Sequence, residues 1–444
     1  MGQRARRVLR RVRAPRRPCR RGRGRRRGRP AGRRRENRRR RGRAGPARDH
    51  DADAARARGG VAVRGARLGR KLPRRRRTLR RRRMGRVHDR ENGEPMKAVV
   101  AQETGPPSVM TWTDAEPPKP APDECVVKVE ACGACMHEVL VRRGQMPGTF
   151  PIIPGHEVVG EVVETGADVV DFAVGDRVVT NQRQRVCGKC RECRMGRETR
   201  CPRKVFLGDV GLNGGYAELV AVSDGSLVKV PPGITSPHVA IASCAIGTQL
   251  NALRDVARLE LGETVLVTGA GGGVGLHAIQ LARASGARVV AQTTSPKKVE
   301  AVREAGADEI VLVERGVDYS KDVMAVTDGR GCDVVLENVG AASFASSVKT
   351  VALHGRLVLV GEVQKTPPRV DADLVGWRRR DISIRSAAST TRRQLEDVLS
   401  LMERGVVTPV VTDVLPMSEA PRAHEILESG SATGRILLVP DTAG

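Results

Sequence analysis

Aromatic residues are almost missing from this chain of 444 residues: two Trp, two Tyr and four Phe, 2% in all. A core and any substrate pocket must therefore be aliphatic, and a nucleic-acid surface built on base stacking lacks its platforms. No apolar run is long enough to span a bilayer and no secretory apolar segment is present, which makes a reducing cytoplasm the expected setting. The ten cysteines do not space out as an evenly paired framework. In a reducing compartment, thiols that cluster are metal ligands rather than halves of disulfides. Acidic residues are scarce at one end only. Residues 1–95 hold 40 of the 79 Lys+Arg and 7 of the 50 Asp+Glu, leaving 39 basic against 43 acidic in 96–444. The formal charge of +29 thus belongs to the leader, and the body, at about −4, has an ordinary solvated surface.

In that leader, RRGRGRRRGRP and LPRRRRTLRRRR offer almost nothing to bury, so residues 1–95 are expected to be disordered. Such an arm could neutralise phosphates on nucleic acid or an acidic membrane, but it has no interleaved aromatics, and the amphipathic spacing of a transit peptide is missing. The reading preferred is a mis-assigned start, because MKAVV at 96–100 opens like a first strand.

From Met96 the pattern becomes short Val-rich strands with Gly, Pro and Asp between them: MKAVVAQ, ECVVKVEAC, HEVVGEVVETG and VGDRVVTN. These predict a compact β-rich unit. Cys135 sits just past one strand, and His156 and Glu157 open another after a Pro-Gly turn. A thiolate and an imidazole are half of a zinc site and call for a third ligand further along. Cys187, Cys190, Cys193 and Cys201 follow in the spacing C-x2-C-x2-C-x7-C. Four thiolates on one short loop fill a tetrahedral shell, the chemistry of structural zinc.

Next, ETVLVTGAGGGVGLHAIQLARASGARVVAQTTS reads as a strand (264–268), a glycine turn and a helix. The turn carries Gly269, Gly272, Gly273, Val274 and Gly275, a variant of the G-x-G-x-x-G pattern with Ala270 within it. Backbone N–H groups at such a turn and helix start accept a pyrophosphate. The second strand ends in Thr293, Thr294, Ser295, Pro296, Lys297 and Lys298, with no acidic residue for a ribose 2′-hydroxyl. Hydroxyls and ammonium groups suit a 2′-phosphate, so NADP(H) is expected over NAD(H); if the lysines are only a solvated first helical turn, NAD would be accepted too. Further Val/Leu strands alternate with helices, as in a doubly wound parallel sheet.

The GHE at 155–157, the four-cysteine lobe and the dinucleotide unit together resemble the zinc-dependent medium-chain dehydrogenase/reductase family, of alcohol dehydrogenase type, and are also similar to its acryloyl-CoA reductase branch. The resemblance covers about residues 96–440. It implies an α/β fold with a GroES-like β-rich catalytic domain (96–245), a Rossmann dinucleotide-binding domain (246–388) and a segment (389–444) that returns to complete the first. It implies Cys244 as the third catalytic zinc ligand, Glu157 as a neighbour of that zinc or an alternative ligand, and nicotinamide contacts from Thr248, Val360 and Gly361. Two Zn2+ per chain, one catalytic and one structural, are expected, and a homodimer or homotetramer.

In alcohol dehydrogenases a Ser or Thr stands two residues after the cysteine ligand; here His137 takes that place, followed by Glu138. His137 is accordingly either a proton relay or a bystander, on the solvent side or supporting a metal ligand. The expected activity is hydride transfer between NADP(H) and an alcohol, aldehyde or ketone. The alternatives are NADPH-dependent reduction of an enoyl-CoA C=C bond and, in another class, a non-catalytic NADPH- or nucleic-acid-binding protein.

Overall fold

Two hydropathy patterns build two sheets. The computed structural model describes residues 94–361 and 373–441, so nearly all of the Arg-rich leader lies outside the described residues. The chain begins with the hairpin β1 (Met96–Ala101) and β2 (Met110–Ala115). β3 (Glu124–Ala134), β4 (Glu157–Thr165), β5 (Arg177–Thr180), β8 (Leu219–Ser223) and β9 (Leu227–Lys229) follow as antiparallel partners in one sheet. Between them the short hairpin β6 (Arg183–Arg185) and β7 (Val205–Phe206) closes the four-cysteine loop.

The second sheet is made of β10 (Thr264–Val267), β11 (Arg288–Thr293), β12 (Glu309–Leu312), β13 (Cys332–Glu337), β14 (Val351–Leu359) and β15 (Ser383–Ser386). All pairings are parallel, in the order β12-β11-β10-β13-β14-β15. β10 and β13 are buried at every position, the mark of strands covered on both faces. The order reverses between β10 and β13, which opens a crevice at the carboxyl ends of the strands.

The last elements go back to the first sheet. β16 (Val411–Pro416) and β17 (Arg435–Val439) run parallel to one another, and β17 pairs antiparallel with β3, Ile436 opposite Ala134 and Leu438 opposite Cys132. Arg142, 1% exposed, fastens this return: its guanidinium binds His424 and Glu428 on the helix Ala420–Ser429 and the carbonyl of Gly105. One aliphatic core runs from Ala131, Val159 and Val179 through Ile241 and Ile246 to Val265, Val267 and Leu336. The connector bearing Cys244 is therefore held inside the joint between the two sheets.

Candidate metal and cofactor site

Cys135 is the last residue before the helix Met136–Arg142, at the end of β3, and Glu157 is the first residue of β4. The antiparallel register sets Gly133 opposite Glu157. A Cβ on Gly133 would lie 2.4 Å from Glu157 Oε2, so the missing side chain makes room for the carboxylate. Cys244 arrives from the other side on a π-helical turn, Ser243–Gly247, an irregularity frequent at functional sites. One ligand atom from each of Cys135, His156, Glu157 and Cys244 lies within 4.8 Å of all the others; the two sulfurs are 3.9 Å apart.

The surroundings fit a cation. His156 is buried and gives its Nδ1 to Glu138, whose other oxygen accepts the Cys135 N–H at 3.2 Å, so Nε2 is turned toward the cluster. Both Glu157 oxygens are buried without a hydrogen bond. Burial lifts the Glu157 pKa to about 7 although Arg435 pulls it down. The bond from Cys244 drives the Cys135 thiol well below its ordinary value, and the same bond, with burial, drives Cys244 well above. Donors this close and this buried can all be anionic only beside a shared positive charge. Arg435 supplies part of it, 2.8 Å from Glu157 Oε1 and 3.3 Å from the Cys244 sulfur. Two soft sulfurs, one imidazole nitrogen and a carboxylate are a zinc donor set.

His137 stands beside this group, its ring edge-on to His156 at 5.2 Å and stacked on Phe206 at 5.5 Å. Its enclosed Nε2 makes no hydrogen bond, and the nearest carboxylate oxygen, Asp209 Oδ2, is 3.6 Å away. Glu138, in contrast, is 2% exposed and faces His156.

The sulfurs of Cys187, Cys190, Cys193 and Cys201 also lie within 4.8 Å of one another. Their geometry is set by local bonds: the Cys190 N–H donates to Cys187 Sγ at 3.3 Å and the Cys193 N–H to Cys190 Sγ at 3.4 Å. Arg203 reaches Cys187 Sγ at 3.2 Å, and the buried Arg183 holds Ser389 and the Thr390 carbonyl, tying the lobe to the chain beyond β15.

In the crevice of the parallel sheet, Gly269 takes a positive φ of 57° and Gly272 N–H closes the turn on Gly269 O at 3.0 Å. A Cβ on Gly275 would sit 2.5 Å from Gly269 O, whereas one on Gly272 would meet only that oxygen at 3.3 Å, so its outer side is open to a ligand. Gly273 and Val274 lead into the helix Gly275–Ala284, whose first N–H groups have no partner inside the helix. Thr248 is nearly buried on the short helix that follows the Cys244 turn. The N–H groups of Val360 and Gly361 both donate to Glu337 O, at 2.9 and 3.0 Å.

The residues after β11 divide. Thr294 and Lys297 are exposed and Ser295 is half-buried, but Thr293 is buried. Lys298 is buried, its Nζ bound to the carbonyls of Gly430 and Ala432. Burial, and secondarily Arg315, lowers its pKa. That ammonium group is spent on joining the dinucleotide unit to the C-terminal helix.

Several site residues escaped the sequence reading. Arg435 carried a faint signal, a charge opening the apolar run RILLV. Asp209, Phe206 and Glu337 carried none, since only folding brings them to the site.

This arrangement, two clusters of metal-capable side chains and a glycine turn at a strand-order reversal, fits a metal- and dinucleotide-binding oxidoreductase. Known proteins agree. Residues 121–232 match the alcohol dehydrogenase GroES-like domain and residues 273–404 the zinc-binding dehydrogenase domain. The acryloyl-coenzyme A reductase of Metallosphaera sedula is 35% identical over 347 residues, 77% of this chain and 99% of its own. An NAD-dependent alcohol dehydrogenase of Sulfolobus acidocaldarius is 32% identical over 77% of this chain and 99% of its own. The crystal structure of AibC is 40% identical with a TM-score of 0.74, over 81% of this chain and 100% of its own. The chain belongs to the zinc-dependent medium-chain dehydrogenase/reductase family and is an alcohol dehydrogenase-like oxidoreductase. No described helix is long and apolar enough to cross a membrane.

Proposed function

We propose that this protein transfers hydride between NADP(H) and a small alcohol, aldehyde or ketone. The observation that carries the reading is the convergence of Cys135, His156, Glu157 and Cys244 within 4.8 Å, a complete donor set that carbonyl chemistry uses and reduction of an activated C=C bond does not require.

Zinc bound there would supply a Lewis acid for a substrate oxygen, and a bound nicotinamide would supply or take up the hydride. The chain's own residues do the rest. Cys135, Cys244 and His156 Nε2 would hold the metal, and Glu138 fixes the imidazole through Nδ1. Glu157, held by Arg435, is a neighbour of the metal or an alternative ligand. His137 carries the proton between the substrate oxygen and solvent, with Asp209 placed to steady its cationic form. The glycine turn 269–275 takes the pyrophosphate, Thr248, Val360 and Gly361 the nicotinamide end, and Thr294, Ser295 and Lys297 the 2′-phosphate. The lobe of Cys187, Cys190, Cys193 and Cys201 holds a second, structural zinc.

A second reading, reduction of an enoyl-CoA by NADPH, is favoured by the similarity to acryloyl-coenzyme A reductase. The two separate in one experiment: purified protein begun at Met96 is assayed with NADPH against a panel of aldehydes and ketones and against acryloyl- and crotonyl-CoA. Turnover of carbonyls that is lost on chelation supports the first reading; chelation-resistant turnover of the CoA thioesters alone overturns it.

A further inference from the structure

Glu337 ends β13 at the strand-order reversal and is completely buried, yet the chemistry above does not use it. Its Oε1 accepts the N–H groups of Val339 and Gly340, each at 2.9 Å, and the hydroxyls of Ser343 at 2.6 Å and Thr268 at 3.1 Å. Its Oε2 accepts the Ser347 hydroxyl, which is itself 2.6 Å from the Tyr319 hydroxyl. Every one of these partners can donate, the surroundings of an ionised carboxylate, which only accepts. Among the described residues no Lys, Arg or His forms an ion pair with it, although the other wholly buried carboxylate here, Glu157, has Arg435. A buried charge without a counter-ion is costly, and five dipoles offset that cost without cancelling the charge.

Its place decides what the charge faces. The backbone oxygen of Glu337 accepts the N–H groups of Val360 and Gly361. The next residues are wedged in the crevice: a Cβ on Gly361 would overlap Asn338 O, and one on Gly269 would lie 3.0 Å from Val339 Cγ2. Asn338 further links Thr268 O to Gln249, the neighbour of Thr248. Glu337 thus sits under the three segments assigned above to the nicotinamide end and the glycine turn.

We propose that the Glu337 carboxylate sets which oxidation state of the nicotinamide the protein holds more tightly, its unpaired charge stabilising the cationic oxidised ring over the neutral reduced one. This rests on the dinucleotide reading of the crevice. A unit charge acting over about 10 Å of protein interior changes an equilibrium constant by roughly an order of magnitude. It acts on the ring through space, so it needs no contact with the cofactor.

The test is direct binding, by fluorescence titration of NADP+ and NADPH in the absence of substrate. Glu337→Gln should raise the ratio Kd(NADP+)/Kd(NADPH) about tenfold. Ser343→Ala and Ser347→Ala, which loosen the same loop but keep the charge, should leave the ratio within about twofold even where both affinities fall. If Glu337→Gln does not fold, Asn338→Asp serves from the opposite side, since a second negative charge should lower the ratio. An unchanged ratio in Glu337→Gln, an unchanged ratio in Asn338→Asp, or an equal change in the two serine variants overturns the proposal. Failure of the wild type to bind either nucleotide refutes the dinucleotide reading itself and the proposal with it.

Discussion

Mild acid should loosen the joint between the cofactor helix and the C-terminal return, and His277 is the reason. It belongs to the helix Gly275–Ala284, and its ring is wholly buried. Nδ1–H donates to Gly273 O at 2.7 Å and Nε2 accepts the Val410 N–H at 2.9 Å. Burial, aided by Arg435 and opposed by the Gly273 carbonyl, lowers its pKa from 6.5 to about 4. Between those values the unfolded chain binds a proton that the folded one refuses. The stability it contributes is therefore complete above pH 6.5 and is lost as the pH falls toward 4. Linkage across this window gives a loss of about 2 kcal/mol between pH 8 and pH 5, from this residue alone. A protonated ring would also turn a donor against the Val410 N–H. The assay is urea denaturation of the wild type and His277→Gln at both pH values. The wild type should lose about 2 kcal/mol more than the variant, whose amide does not titrate. A wild-type-minus-variant difference that stays flat with pH would rule out His277 as the source, because His424 and every other group are common to both proteins.

Further outcomes are expected at the cysteine clusters and at the paired lysines. Metal analysis should find two zinc ions per chain; Cys190→Ala should lose one and mainly stability, whereas Cys135→Ala should lose the other and nearly all turnover. Lys297→Ala should weaken NADPH relative to NADH in binding titrations. Lys298→Met should leave that ratio unchanged and cost about 1–3 kcal/mol in denaturation, because it strips the Gly430 and Ala432 carbonyls of their donor.

Much of the molecule was legible because its signals are local. A four-cysteine spacing over 187–201 closes on itself within one loop, and bonds such as Cys190 N–H to Cys187 Sγ link residues three apart. The glycine turn declares itself between a β-branched strand and a helix, since Gly269 needs a positive φ and Gly275 a vanished Cβ. The Val runs at 264–267 and 332–337 give a buried parallel sheet by composition. The resemblance to a known family then supplied Cys244, which no local pattern would have joined to Cys135 across 109 residues.

Where the charges go was settled only on folding. Lys297 and Lys298 are neighbours of the same type in the sequence, yet one is in solvent and the other is buried on two carbonyls 132 and 134 residues away. His137 and Glu138 are neighbours in the sequence, yet a single step along a helix turns the first beside Asp209 and the second onto His156. Arg435 and Glu337 are unremarkable in an apolar strand until folding removes the water around them. A charge's partner is chosen by which surfaces meet once the backbone has closed, and hydropathy along the chain carries no record of that meeting.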